Sequence, residues 1–107
     1  MPPVKVVTTL PISWKEFEVG EWAYSLLSAN KVACIQIDKI RSMYLWQNNV
    51  NSEEEWRLSM TTTQKSSTEL INRIKTNHPY EIPQIVWHSV NADEEYHNWI
   101  NEVTKDE

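Results

Sequence analysis

Glycine and cysteine are almost absent from this sequence, and each scarcity narrows what the chain can be. One glycine occurs in 107 residues, so turns that need a positive φ angle should be made by asparagine, with proline shaping other connections. The single cysteine, Cys34, cannot form an internal disulfide, so nothing in the chain requires an oxidising compartment. We therefore expect a cytoplasmic protein.

Clustered basic residues and long apolar runs are also missing. The formal net charge is −5, and without a patch of Lys and Arg the chain lacks the electrostatic surface that nucleic acid requires. No stretch approaches the ~20 apolar residues of a membrane span, and the N-terminus, MPPVKVVTTLP, does not resemble a secretory signal. We expect neither a nucleic-acid partner nor a membrane partner.

The motifs of common enzyme classes are absent as well. No nucleophile and base stand at motif spacing, no HExxH occurs, and a chain with one glycine cannot build a glycine-rich phosphate loop. The sequence therefore predicts a protein that is not an enzyme and that requires no cofactor.

Tryptophan, in contrast, is abundant. The length is that of one domain, residues 1–107, and six tryptophans are more than so small a core normally holds. Because aromatic residues are enriched where subunits meet, this composition favours a homo-oligomer.

The first elements of the chain are a strand and a helix. The β-branched run 4–10 is typical of a buried strand. Ser13 and Glu16 have the spacing of a capping box, which predicts a helix to about Asn30. Gly20 inside this helix is unfavourable, so the first turn could form a separate short segment.

A long hairpin follows. Alternation along 33–47 predicts a strand that is interrupted near Asp38 and Lys39, and the run 48–51 predicts the turn to a returning strand. Because this hairpin is too long for a domain of this size to cover, its tip should project and expose strand edges.

The second half predicts a helix, a strand and a last helix. Ser66 and Glu69 form a second capping-box pattern, and the helix that they begin should end before Pro79. The run 85–90 is apolar on both faces, which favours a central strand. Apolar residues at helical spacing after the acidic segment 91–95 predict the C-terminal helix.

The resulting order, β α β β α β α, is the split βαβ arrangement of ferredoxin-like α+β folds with a third helix appended. Two helices cover one face of an antiparallel sheet, and the other face would be bare in a monomer. Three sheets that pack face to face would cover it, so we expect a homotrimer.

With these elements placed, the chain resembles the CutA family of divalent-cation tolerance proteins. The resemblance covers essentially the whole chain, and its most specific element is the pattern HPYE.P. It rests on KVACIQI (31–37), SMYLW (42–46), the acidic return 53–55, NHPYEIPQIV (77–86) and DEEYHNWI (93–100). It implies a ferredoxin-like protomer in a stable homotrimer that is similar to PII signalling proteins, with a role in tolerance of copper and other divalent cations.

The resemblance also implies candidate ligands. His78 matches the histidine of the HPY element and Cys34 matches the cysteine after the first helix, and some family members bind Cu(II) through such residues. The chain departs from the family at Asp38 and Lys39, where Pro-Gly is usual, and at Thr61, where lysine is usual. These departures lie near the pocket that family members form between subunits.

The residue types leave the role of His78 and Cys34 open. Imidazole and thiolate together suit copper or zinc, but two ligands fall short of the three or four of a firm site, so a neighbouring subunit would have to supply the rest. The alternative is structural: Cys34 as a small core residue and His78 as a helix terminator whose imidazole bonds a carbonyl of the last helical turn.

A set of aromatic and acidic residues has a similar double interpretation, as the lining of a pocket between subunits or as interface packing. The set comprises Tyr44, Trp46, Trp56, Tyr80, Glu81 and Trp99. Strand alternation also places Glu53 and Glu55 on one face and Glu54 on the other, so only two of these three acids can act together.

The sequence therefore predicts a CutA-like homotrimer that binds divalent metal, copper first, near its subunit boundaries. The alternative is a PII-like signalling or scaffold trimer that binds a small ligand or a protein partner in the cleft between subunits.

Overall fold

A computed structural model describes residues 1–104 of the protein, and within them the chain forms four strands and three helices in the predicted order. The predicted domain 1–107 extends to residues 105–107, which lie outside the described residues. The elements are β1 (Val4–Pro11), α1 (Glu16–Ser28), β2 (Cys34–Trp46), β3 (Asn49–Thr62), α2 (Gln64–Thr76), β4 (Ile85–Ser89) and α3 (Glu94–Val103).

The described strands form one sheet in the order β2-β3-β1-β4, and every neighbouring pair is antiparallel. Alternate residues of β1, including Val6 and Leu10, point towards the helices and are fully buried. Leu70 and Ile74 of α2 pack in the same cluster. This arrangement confirms the ferredoxin-like α+β fold that the element order predicts.

The position predicted for β4 is wrong. β4 pairs only with β1 and forms one edge of the sheet within the protomer. Its Val86 and Trp87 are 49% and 56% exposed. Apolar residues on both faces therefore do not mark a central strand here, because the protomer itself leaves them largely uncovered.

The hairpin is continuous, so the predicted interruption near Asp38 and Lys39 is absent. β2 and β3 keep one register from Cys34 opposite Thr61 to Trp46 opposite Asn49. Asp38 pairs instead with Arg57 on the neighbouring strand, at 2.8 Å, and this cross-strand ion pair accommodates both charges without a bulge.

The turn is also tighter than predicted, because it consists of Gln47 and Asn48 and not of residues 48–51. Both residues have positive φ angles, 51° and 64°, as a two-residue type I′ turn requires. Asn30, just after α1, has a φ of 60°. Asparagine thus takes left-handed positions that glycine usually fills.

The hairpin projects, as its length predicts. Pairing between β1 and β3 ends at Pro11 opposite Glu55, and beyond it residues 41–46 and 49–54 pair only with each other. That two-stranded segment is roughly 20 Å long, and the longest dimension of the molecule is 44 Å. Met43 and Leu45 on this segment are 71% and 75% exposed.

Two helices begin at caps other than those predicted. At α1 the Glu18 carboxylate accepts the backbone N–H of Lys15 at 2.8 Å, whereas Ser13 lies in the preceding turn. At α2 the Thr63 hydroxyl accepts the backbone N–H of Ser66 at 3.1 Å. α1 runs through Gly20 without a break, so no separate first turn exists.

α3 begins where it is predicted, since the Asp93 carboxylate accepts the backbone N–H of Glu95 at 3.1 Å. Ile100 is fully buried, whereas Tyr96 and Trp99 stack on the surface with ring centroids 5.5 Å apart. In residues 1–104, no helix combines the length and the apolar character that crossing a membrane would need.

Candidate functional site

A cleft of about 490 Å³ lies where the hairpin leaves the sheet, next to the segment that connects α2 to β4. Strand alternation turns Tyr44 and Trp46 of β2 to the same face as Glu53 and Glu55 of β3. Glu54 does not line the cleft, so the prediction that two of the three acids share a face is confirmed. The lining consists of Thr9, Ser42, Met43, Tyr44, Trp46, Glu53, Glu55, Tyr80, Glu81, Ile82 and Gln84.

Tyrosine and glutamate are paired inside this cleft. The Tyr80 hydroxyl donates to the Glu55 carboxylate at 2.7 Å, and the Tyr44 hydroxyl donates to the Glu53 carboxylate. The bond to Glu53 raises the pKa of Tyr44. Burial, followed by the bond to Glu55, raises the pKa of Tyr80. Both tyrosines are therefore neutral donors near pH 7.

The cleft has one sign of charge. Glu53, Glu55 and Glu81 contribute carboxylates, and no lysine or arginine is among its described lining residues. Carboxylates in a concave site concentrate the negative potential that attracts cations and repels phosphate or carboxylate ligands.

His78 lies behind the cleft wall and both of its ring nitrogens contact the backbone. Nε2 lies 2.8 Å from the carbonyl oxygen of Thr9, which can only accept, so Nε2 carries the proton and donates. Nδ1 accepts the backbone N–H of Tyr80 at 3.1 Å. Burial lowers the pKa of His78, against the opposing effects of Thr9 and Glu55, so the ring is neutral near pH 7.

This geometry makes His78 a support for the cleft within the protomer. Its ring lies 5.1 Å from the ring of Tyr80, and it ties the segment after α2 to Thr9, a residue of the cleft lining. Either nitrogen could bind a metal only after it gave up its present backbone bond.

Cys34 lies in a different part of the sheet. It begins β2 opposite Thr61, which in turn lies opposite Lys5 of β1. Cys34 is therefore two strands from β1, roughly 10 Å, and a further three residues along the sheet from Thr8, which His78 contacts. The structure does not bring His78 and Cys34 together within one protomer.

Thr61, the residue opposite Cys34, is a buried polar residue, and within residues 1–104 it is unusual in its hydrogen bonding. Its hydroxyl has no hydrogen-bond partner, and an unpaired buried hydroxyl costs about 1–3 kcal/mol. This threonine occupies the position where the family resemblance leads us to expect lysine.

The side chains that commonly bind metals do not form a complete metal site within the described part of the protomer. In residues 1–104 no group of three or more His, Cys, Asp or Glu side chains is arranged to hold a metal ion. A firm metal site built on these residues would therefore need ligands from a second chain.

Two of the predicted aromatic residues lie away from the cleft. Trp56 is 6% exposed and belongs to the core, where its indole N–H donates to the carbonyl oxygen of Trp14 at 2.9 Å. It shares the helix-covered face with Leu58 because residues two apart on a strand point the same way. Trp99 lies on α3, stacked on Tyr96.

The structure adds lining residues that the sequence reasoning did not single out. Ile82 supplies apolar surface, and Thr9 supplies part of the wall next to His78. Met43 borders the cleft, although strand alternation turns its side chain to the other face of the hairpin. Met43 is adjacent to Tyr44 and Ile82 follows the HPYE element, so proximity to those motifs was the available signal. Which residues face each other depends on the path of the segment after α2, which no local pattern indicates.

Comparison with known proteins identifies relatives of the whole fold. Residues 5–103 match the family model described as CutA1 divalent ion tolerance protein. The divalent-cation tolerance protein CutA of Thermotoga maritima is 34% identical over 100 residues, which cover 92% of this chain and 96% of that protein.

Solved structures agree with this match. CutA1 from Pyrococcus horikoshii superimposes with a TM-score of 0.86 at 29% identity, over 96% of this chain and 99% of that chain. The PII-like protein CutA from Nostoc sp. PCC 7120 superimposes with a TM-score of 0.84 at 30% identity, over 95% of this chain and 97% of that chain.

Proposed function

This chain belongs to the CutA1 divalent ion tolerance protein family, and from that premise we propose that it is a homotrimer that binds divalent cations, copper among them, near its subunit boundaries. The observation that carries the proposal is the acidic cleft, whose described lining holds three glutamates and no basic side chain. Carboxylate oxygens bind divalent cations directly or through water.

Glu53 and Glu55 make the first contacts in this proposal. Each already accepts a tyrosine hydroxyl, which orients the carboxylate while leaving it further lone pairs. Glu81 lies on the opposite side of the cleft, on the segment after α2. Such a set suits a divalent cation that keeps part of its water shell, until a neighbouring chain supplies further ligands.

His78 and Cys34 are the candidate softer ligands, as the family resemblance implies, and they would favour copper. The partly exposed Cys34 is free. His78 would have to release the N–H of Tyr80 from Nδ1, so copper bound there would move the Tyr80 segment. The proposal therefore predicts that copper at His78 perturbs the cleft, whereas copper at Cys34 does not.

The assembly is proposed because the protomer leaves apolar surface uncovered in two places. Met43, Leu45 and Val50 on the hairpin are all more than 70% exposed. Trp87 and Val86 lie on the edge strand β4, which has an unpaired side. Exposed strand edges and apolar patches of this kind favour association, and the family resemblance implies three copies.

Light scattering combined with copper(II) and zinc(II) calorimetry tests the proposal. The expected mass is that of three chains, and both metals should bind saturably. His78→Ala and Cys34→Ser separate the ligands: the variant that loses copper affinity identifies the copper ligand. A monomer in solution, or no metal binding at any accessible concentration, would contradict the proposal.

A PII-like signalling or scaffold trimer is the second candidate, favoured by the Nostoc structure that is named PII-like and by a cleft large enough for a small molecule. An anionic ligand would meet the three cleft glutamates, so we rank this candidate second. Saturable binding of a nucleotide at physiological salt would reverse the ranking. A cytoplasmic location and the lack of enzymatic activity stay predictions that accompany both candidates.

A further inference from the structure

Three aromatic rings line the same cleft as the glutamates, and metal binding does not account for them. Tyr44 and Trp46 are two residues apart on β2, so their side chains leave the same face of the strand. They are 39% and 41% exposed, which leaves ring surface open to a ligand. Tyr80 contributes a third ring from the segment after α2.

The two tyrosine rings are held in place by the carboxylates beside them. Tyr80 donates to Glu55 at 2.7 Å and Tyr44 donates to Glu53. His78 fixes the backbone of Tyr80 from behind, through Nδ1 at 3.1 Å. The rings are therefore preorganised, which reduces the entropy that a ligand would lose on binding between them.

The volume of the cleft is a further sign that more than a metal ion fits. About 490 Å³ lies within the roughly 300–1,000 Å³ of sites for small organic molecules. Ile82, which is 71% exposed, adds apolar surface to the lining, which a hydrated metal ion does not use.

We propose that this cleft binds an organic ammonium ion, with the cation against the rings of Tyr44, Trp46 and Tyr80 and its charge balanced by Glu53 and Glu55. Aromatic faces attract alkylated ammonium groups through the ring quadrupole, and desolvation strengthens the attraction. Carboxylates supply the opposite charge, while the methyl or methylene groups cover the apolar lining. The inference uses the acidic cleft of the proposed function but does not depend on metal binding.

Proton NMR with tetramethylammonium chloride as the probe tests this inference on the assembled protein. This ion carries one positive charge on an apolar surface and cannot donate a hydrogen bond or bind a metal. We expect a saturable upfield shift of its methyl resonance, because the methyl groups would lie over ring faces. Potassium chloride at equal ionic strength should not displace the probe, and neutral tert-butanol should show no comparable shift.

Two substitutions locate the site. Trp46→Leu removes an aromatic face while keeping apolar bulk, and should weaken tetramethylammonium binding at least about fivefold. Glu53→Gln removes a charge while Gln can still accept the Tyr44 hydroxyl, and it should also weaken binding. The matched control is Tyr24→Leu: Tyr24 lies on α1, is 70% exposed and is outside the cleft, so this variant should bind like the wild type.

Light scattering and circular dichroism on each variant show whether assembly and fold persist. If Trp46→Leu disrupts assembly, Glu53→Gln decides the question. Wild-type protein that gives no saturable shift, as would happen if a neighbouring subunit filled the cleft, overturns the inference. So does equal binding by Glu53→Gln or a loss on Tyr24→Leu. A copper titration of the same sample keeps the proposals distinct, because copper binding without a tetramethylammonium shift leaves only the proposed function standing.

Discussion

The helix-covered part of the sheet and the projecting hairpin both contain strands of alternating pattern, but they differ in whether the protomer buries the apolar face. In β1 and the second half of β3 one face is buried under helices, and residues such as Val6 and Met60 are fully buried. On the hairpin the same face leaves Met43 and Leu45 more than 70% exposed. The opposite face of the hairpin carries the acidic and aromatic cleft. The difference teaches that an alternating apolar face on a strand does not by itself mean that the protomer buries that face.

The largest expected effect is a loss of stability from a substitution in the helix-covered core. Ile74→Ala in α2 removes a fully buried side chain, so the free energy of unfolding should fall by about 2–5 kcal/mol. Urea denaturation measures the loss. A decrease below about 1 kcal/mol would mean that this part of the core is far less closely packed than the structure indicates.

A substitution on the hairpin should act on assembly. Leu45→Ser alters a side chain that is 75% exposed in the protomer. If a neighbouring subunit buries this side chain, the substitution should weaken assembly by about 1.5–3 kcal/mol for each leucine buried. On dilution, the variant should dissociate at a protein concentration at which the wild type is still assembled. Its circular dichroism should show that the helix and strand content is retained. Dilution followed by light scattering measures this.

A matched control for the hairpin is Ser52→Thr, because Ser52 lies opposite Met43 on the returning strand and the change keeps a hydroxyl. This variant should keep the wild-type dissociation behaviour. Unchanged assembly of Leu45→Ser, over the whole range in which the wild type dissociates, would show that the hairpin tip is not covered by a partner.

His78, which supports the cleft from behind, should make the stability of the protein depend on pH. Burial lowers the pKa of His78 in the folded protein, so the unfolded chain binds a proton first as the pH falls through about 6.5. The contribution of His78 to stability is therefore complete above that pH and is lost below it. Thermal unfolding at pH 7.5 and 5.0 measures the effect.

Comparison with His78→Gln isolates this contribution, because glutamine does not titrate. The wild type should lose more stability than the variant between the two pH values. If the two proteins lost equal stability, or if the wild type gained stability on acidification, the assignment of His78 as a neutral buried support would be wrong.

The smallest expected effect is a gain in stability. Gly20 lies inside α1 without a positive φ, and beyond its chain neighbours and the nearby backbone of α1 itself an added Cβ would meet no atom within 4 Å. Gly20→Ala should therefore stabilise the protein by about 0.4–1 kcal/mol. A shift of the urea midpoint to lower concentration would reveal a neighbour, in the assembly, that needs this open surface.

Local patterns predicted most of the fold, because the relevant forces act between close neighbours in the chain. Alternation predicts Glu53 and Glu55 on one face, as the cleft shows. Tyr44, Trp46, Tyr80 and Glu81 line this cleft as well, while their place between subunits stays a prediction. The order of elements then determined a ferredoxin-like sheet.

The predictions fail where contacts between residues far apart in the sequence determine the position of a residue or a strand. The residue type of Trp56 suggests a pocket or an interface, although Trp56 points to the same face of β3 as Leu58 and lies in the core. The edge position of β4 has no local signal either, because Val86 and Trp87 are apolar although the protomer leaves them about half exposed. The contact of His78 Nε2 with the carbonyl oxygen of Thr9 joins residues 69 positions apart and leaves no local signal, whereas the bond from the Tyr80 N–H spans only two residues.

The central claim, that the acidic cleft binds cations, is tested most directly by zinc(II) calorimetry on the double variant Glu53→Gln, Glu55→Gln beside the control Glu94→Gln. Glu94 lies in the first turn of α3, outside the cleft, and glutamine preserves the shape of each side chain. We predict that the double variant binds zinc at least about tenfold more weakly than the wild type, while the control is unchanged. Equal zinc affinity in all three proteins would contradict the claim.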